Sequence, residues 1–124
     1  MNSVVHFDIP SSDPGKAKKF YESAFGWTVN QVPGAEYWMA YTTETNMETQ
    51  TPTGMGINGG IVPRKDASAE YPVMYVNVPD IDAALKAVEA AGGKMLEPKT
   101  AMGEWGHYAM ISDPDGNTIG LYSK

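Results

Sequence analysis

Two histidines, His6 and His107, together with Asp8 and Glu104 close to them in the chain, are the side chains best suited to acid–base or ligand chemistry. Imidazole titrates near neutral pH, so His6 could serve as a general base, a hydrogen-bond anchor or a metal ligand. The plainer reading of His6 is a half-buried histidine at the centre of a sheet. The two histidines lie near opposite ends of the sequence and form no H-E-x-x-H pair. There is no cysteine, which removes thiolate nucleophiles, disulfides and zinc-finger sites and leaves His, Asp and Glu to hold any metal. No P-loop, G-x-G-x-x-G or G-x-S-x-G occurs, and "GINGG" lacks the lysine that phosphate cradling needs. Tyr37, Trp38, Tyr41, Tyr75, Trp105 and Tyr108 offer aromatic surface for stacking on a planar ligand.

The elements that must position these residues come in two similar halves. "VVHFDIP" (Val4 to Pro10) matches "VMYVNVP" (Val73 to Pro79), each an apolar strand pattern ended by proline. Asp13, with Pro14 behind it, and Asp80 then supply helix caps. Ala17, Phe20, Tyr21 and Ala24 recur at helical spacing, as do Ile81, Ala84, Leu85 and Val88, so each helix has an apolar face. Trp27 and Phe20 read as core. Gly26, Gly92 and Gly93 suit left-handed helix ends. Strand-like text follows each helix: "WTVNQV", "EYWMAYTT" and "GINGGIVP" in the first half, "KMLEP", "HYAMIS" and "TIGLYS" in the second. "DPDGN" reads as a turn, with Asp113 and Asp115 bonding local backbone. Residues 42–56 are polar, threonine-rich and without periodicity, which predicts a long loop in which Met47 and Met55, like Met102 in the second half, could offer adaptable apolar contact.

The expected fold class is therefore α+β: one domain over 1–124, built from βαβββ modules at about 3–64 and 71–124, paired into a curved mixed sheet with a concave pocket. A net charge of -6 and a pI near 4.7, with scattered Lys and Arg, argue against nucleic acid and anionic membrane as partners. No apolar run approaches a membrane span, and the first residues lack a signal-peptide layout, so a cytoplasmic location is expected.

"FDIPSSDPGKAKKFYESAFGW", "VNVPDIDAALKAVEAAGGKM" and "ISDPDGNTIGLY" resemble the vicinal oxygen chelate superfamily, which includes glyoxalase I, bleomycin-resistance proteins and extradiol dioxygenases. The resemblance implies paired βαβββ modules, often a homodimer, and in many members a divalent ion held by the first and last strands of each module. Carried over one at a time, those ligand positions fall on Val4, Gly60, Val73 and Gly120. None has a donor side chain, so the usual metal site is missing and no cofactor is expected.

Alternation along the strands puts Val5, Phe7, Ile9, Met74, Val76 and Val78 toward the helices. Val4, His6, Asp8, Val73, Tyr75 and Asn77 then face the other way, with Asn58, Gly60, Thr118, Gly120 and Tyr122. The expected activity is binding of a small aromatic or amphipathic molecule without the usual metal. His6, Trp38, Asn58, Tyr75, Trp105 and Tyr122 are the ligand-binding candidates, and His6 is the catalytic one. The alternative is a metal-dependent lyase, isomerase or dioxygenase whose site has moved to His6, Asp8, Glu104 or His107.

Overall fold

The computed structural model describes residues 1–124, which divide into two compact units. One comprises His6–Pro72; the other comprises Met1–Val5 with Val73–Lys124.

The first unit takes β1 (Val4–Ser11) from His6 onward and then runs α1 (Pro14–Phe25), β2 (Thr28–Gln31), β3 (Trp38–Tyr41), a small ribbon of β4 (Thr45–Asn46) and β5 (Thr51–Pro52), and β6 (Asn58–Pro63). Its sheet order is β2-β3-β6-β1, with β1 parallel to β6 and the other neighbours antiparallel. The register sets His6 beside Asn58 and Asp8 beside Gly60. Asp13 caps α1 by accepting from Lys16 N at 3.1 Å, Pro14 opens the helix, and Gly26 ends it with φ of 71°. Val29, Ala40 and Ile61 are sealed between sheet and helix, with Phe7, Ile9, Ala17, Tyr21, Trp27 and Trp38 packed around them. Because β1 commits Phe7 and Ile9 to that side, His6 and Asp8 must stand on the opposite face.

The step from α1 to β2 is held by Glu22, which accepts from Val29 N at 3.0 Å and Lys18 Nζ at 3.1 Å. The Val29 amide, and then Lys18, hold this carboxyl below the ordinary value of 4.5. A depressed folded-state pKa contributes stability that is complete above the ordinary value and is lost as pH falls through the folded one. Glu22→Gln is thus expected to lower the urea midpoint at neutral pH, with the gap to wild type closing on acidification. A gap that stays constant down the acid limb would refute this role.

The second unit repeats the plan: β7 (Val73–Asn77), α2 (Ile81–Ala90), β8 (Lys94–Ala101), a 3-10 turn (Gly103–Trp105), β9 (His107–Ser112) and β10 (Thr118–Ser123). Its order is β7-β10-β9-β8, again with the first strand parallel to the last. Met1–Val5 belong here, with Asn77 N donating to the Ser3 carbonyl at 2.8 Å. Val78, Ile81, Ala109, Ile111 and Leu121 form its core under Ala84, Leu85 and Val88 of α2. The "DPDGN" turn closes as expected, Asp113 accepting from Asp115 N and from the backbone and side chain of Asn117 at 2.9 Å each.

Three expectations need correction. Phe20 is 57% exposed: α1 buries Ala17 and Tyr21 in the core, and Phe20 falls at the edge of that stripe, edge-on to Tyr21 and Phe25. Met74 is exposed rather than packed under α2, which covers Val76 and Val78 instead. Residues 42–56 are not loop throughout, since Thr45 and Asn46 pair with Pro52 and Thr51. Met55 is fully exposed there, so it contributes no packing. No helix is long and apolar enough to cross a membrane.

Candidate functional site

On the face of the first unit's sheet opposite α1, three polar side chains meet. The hydroxyl of Tyr37 donates to Asp8 Oδ1 at 2.6 Å and lies 2.7 Å from His6 Nε2, which is itself 3.2 Å from Asp8 Oδ1. The phenol has one hydrogen, and it goes to Asp8. The 2.7 Å approach of His6 is then a hydrogen bond only if Nε2 carries a hydrogen. His6 and Asp8 side chains are 28% and 19% exposed, so solvent reaches both.

Local structure explains how Tyr37 arrives there. Val32 N donates to the Tyr37 carbonyl at 2.8 Å, closing the β2–β3 hairpin, with Gly34 at positive φ in the turn. Tyr37 then enters β3 on the same side as Met39, which lies beside Gly60, whereas Trp38 lies beside Ile61 on the side of the core. A Cβ on residue 60 would run into the Oη, Cζ and Cε1 of Tyr37. The phenol therefore fills the space above the glycine that stands at an expected metal-ligand position.

Asn58, 6% exposed, has a structural role: its Oδ1 accepts from Thr42 N at 3.0 Å and its Nδ2 donates to Thr45 Oγ1 at 2.7 Å. It pins the start of the 42–56 segment to the sheet. Farther along, Gln50, at φ of 59°, accepts from the Tyr41 hydroxyl through Oε1 at 2.7 Å, so the segment is folded back onto β3.

The second unit has its own polar face. Gly120 lies beside Tyr75, and a Cβ on Gly120 would meet the Cγ, Cδ2 and Cε2 of that ring. Tyr122 shares the face of Gly120 and donates to the Trp105 carbonyl at 2.7 Å; the Trp105 side chain is half exposed on its 3-10 turn. Tyr108, opposite Tyr122, donates to Glu97 Oε1 at 2.7 Å. Burial first, and then the Glu97 carboxylate, push the Tyr108 phenol above its ordinary pKa.

Of the sequence candidates, His6 and Asn58 share the first unit's face, and Tyr75 and Tyr122 share the second's. Trp38 is corrected to the core side of β3, where it packs around Val29, Ala40 and Ile61 and does not face His6. Tyr37 takes its place, although it is not among the ligand-binding candidates of the sequence. The signal for it is the alternation of β3, in which Trp38 and Ala40 share one side and Tyr37 and Met39 the other.

The residues present do not suit the metal centre that the resemblance implies. Its four positions are Val4, Gly60, Val73 and Gly120, and tyrosine atoms take the space over both glycines. The relocated alternative also lacks a donor set, since nowhere do three or more His, Asp or Glu side chains gather as a group able to hold an ion.

With this plan of strands and helices, the chain belongs to the Glyoxalase/Bleomycin resistance protein/Dioxygenase superfamily, whose family model matches residues 3–121. It is 33% identical over 119 residues to CFP32 of Mycobacterium tuberculosis, a protein that carries a glyoxylase name, covering 93% of this chain and 43% of that protein. It is 27% identical over 128 residues to the anthracycline biosynthesis protein DnrV of Streptomyces peucetius, covering 95% and 46%. The chain thus spans less than half the length of these two relatives. A glyoxalase/bleomycin resistance protein/dioxygenase superfamily member from Vibrio splendidus has the same fold, with a TM-score of 0.64, 15% identity and full coverage of both chains.

Proposed function

We propose that this protein binds a small aromatic or amphipathic molecule on the sheet face that carries His6, Asp8 and Tyr37, without the divalent ion common in its superfamily. The observation that carries this reading is the tyrosine over Gly60: where the superfamily pattern calls for a carboxylate, the chain has no donor, and a phenol bonded to Asp8 and His6 fills the space. Tyr37, Met39 and Tyr41 lie along one side of β3 and give that face aromatic and adaptable apolar surface. The name of DnrV, an anthracycline biosynthesis protein, is in keeping with such a ligand. Cytoplasmic residence and a homodimer complete the proposal.

The deciding experiment is metal analysis of untagged protein by mass spectrometry, followed by calorimetric titration with 2-naphthol before and after chelation. The expected result is metal well below one equivalent and naphthol binding that chelation does not change. Near-stoichiometric metal that a His6→Ala variant loses, or binding abolished by chelation, would sink the metal-free reading.

A further inference from the structure

We propose that residues 42–56 form a strap across the His6 end of the first unit's polar face, that a side-chain bond from Tyr41 to Gln50 latches it, and that a ligand enters when the latch opens. The last point rests on the binding reading above; the strap and its latch rest on geometry alone.

The first support is the row of residues beneath the segment. Met39 lies beside Gly60 and Ala40 beside Gly59, so the same antiparallel register brings Tyr41 beside Asn58. Asn58 in turn lies beside His6 in the parallel pair of β1 and β6. Strand alternation puts these three side chains on the face opposite α1. The segment is bonded to two members of the row: Asn58 holds Thr42 N and Thr45 Oγ1, and the Tyr41 hydroxyl donates to Gln50 Oε1 at 2.7 Å. It therefore crosses the sheet one strand away from His6.

The second support is burial. A polar side chain on a sheet face without a helix is ordinarily open to water, yet Asn58 is buried. Within this unit α1 packs on the opposite side, so the cover over Asn58 is the segment bonded to it.

The third support is how the strap is built. Its two legs are closely packed: a Cβ on Gly54 would run into Thr43 Oγ1, and the Thr53 and Gly54 amides both donate to the Glu44 carbonyl, at 2.7 and 3.2 Å. At its tip Gln50 is the one non-glycine residue with positive φ, a conformation disfavoured for a residue with a Cβ. Two bonds of its own side chain hold it there, from Nε2 to the Met47 carbonyl at 2.8 Å and from the Tyr41 hydroxyl to Oε1. Only the second ties the tip to the sheet. Losing it frees the tip, while Asn58 keeps the base anchored.

The chain has no cysteine, so His6→Cys supplies a single thiol at the covered end, and its rate of reaction with iodoacetamide reads how often the strap opens. Adding Tyr41→Phe is expected to raise that rate about fivefold, the change produced by losing one ordinary hydrogen bond. Gln50→Ala should raise it as well, and the two changes together no further than the faster of them alone, because both remove the same bond. A rate unchanged by Tyr41→Phe, or effects that multiply in the double variant, would overturn the latch. If His6→Cys does not fold, hydrogen exchange in the otherwise unaltered chain decides: Tyr41→Phe should speed exchange at the Thr53 and Gly54 amides and leave Ile61 as it was, and equal exchange would refute the inference. Stopped-flow mixing with 2-naphthol then tests entry, where faster association in Tyr41→Phe is expected and an unchanged association rate beside faster labelling would overturn the gate. No naphthol binding in either chain, with labelling rising as expected, would instead overturn the aromatic-binding reading and leave the strap standing.

Discussion

A Gly120→Ala chain is expected to lose about 3 kcal/mol of stability, the upper part of the usual range for overpacking a fitted site. The added methyl would enter the ring of Tyr75, and among the atoms it meets is Cγ, the root of the side chain. Gly120 and Tyr75 are register partners in parallel strands, so rotating the far end of the ring does not clear the overlap; β7 or β10 must shift. The ring lies over the glycine in the manner by which aromatic neighbours protect glycines within sheets. Urea unfolding followed by circular dichroism measures the loss. A midpoint within error of wild type would show that the two strands part cheaply and that the packing is looser than described.

Gly60→Ala is expected to cost somewhat less, about 2 kcal/mol, and to fail in a different way. Here the methyl meets only the distal atoms of Tyr37, so the phenol can swing aside. Doing so surrenders its hydrogen bonds to Asp8 and His6, each worth about 1 kcal/mol net. The distinguishing prediction is non-additivity: in a Tyr37→Ala background, Gly60→Ala should cost little, giving a coupling of about 1–2 kcal/mol between the two positions. Strictly additive effects would mean that Tyr37 does not occupy the space over residue 60 in solution. Ligand affinity gives an independent check, because Gly60→Ala alone should weaken 2-naphthol binding by disordering the cluster.

The modular plan is legible in the sequence because it depends on short-range patterns. Apolar positions at strand and helix periods, Asp at both helix starts and Gly26 at one helix end each carry a local physical meaning, and all of them agree. That the paired glycines Gly60 and Gly120 stand at metal-ligand positions is what the family resemblance implies, not a local pattern. What occupies the space over them is legible in neither. Tyr37 meets His6 and Asp8 from about thirty residues away in sequence, through a hairpin closure that no local pattern announces. Placing Trp38 rather than Tyr37 at the site is an error of phase: alternation relates neighbours along a strand, but packing around Val29, Ala40 and Ile61 decides which of the two sets is buried. Phe20 shows the converse limit, since helical spacing marks a stripe without saying how far the sheet covers it.

The tyrosine lying over each floor glycine bears on how this chain could evolve. Glycine and glutamate codons can differ by one nucleotide, so a carboxylate at residue 60 or 120 is within easy mutational reach. The protein that received it would first have to accommodate a side chain where Tyr37 or Tyr75 already stands. Each single step toward a carboxylate at residue 60 or 120 is therefore expected to be deleterious until the tyrosine is also replaced, and the second change without the first leaves a hole. Such an arrangement works as a ratchet: changes that keep each tyrosine over its glycine are tolerated one at a time, while gaining a carboxylate there requires paired changes that arise together far less often than either alone.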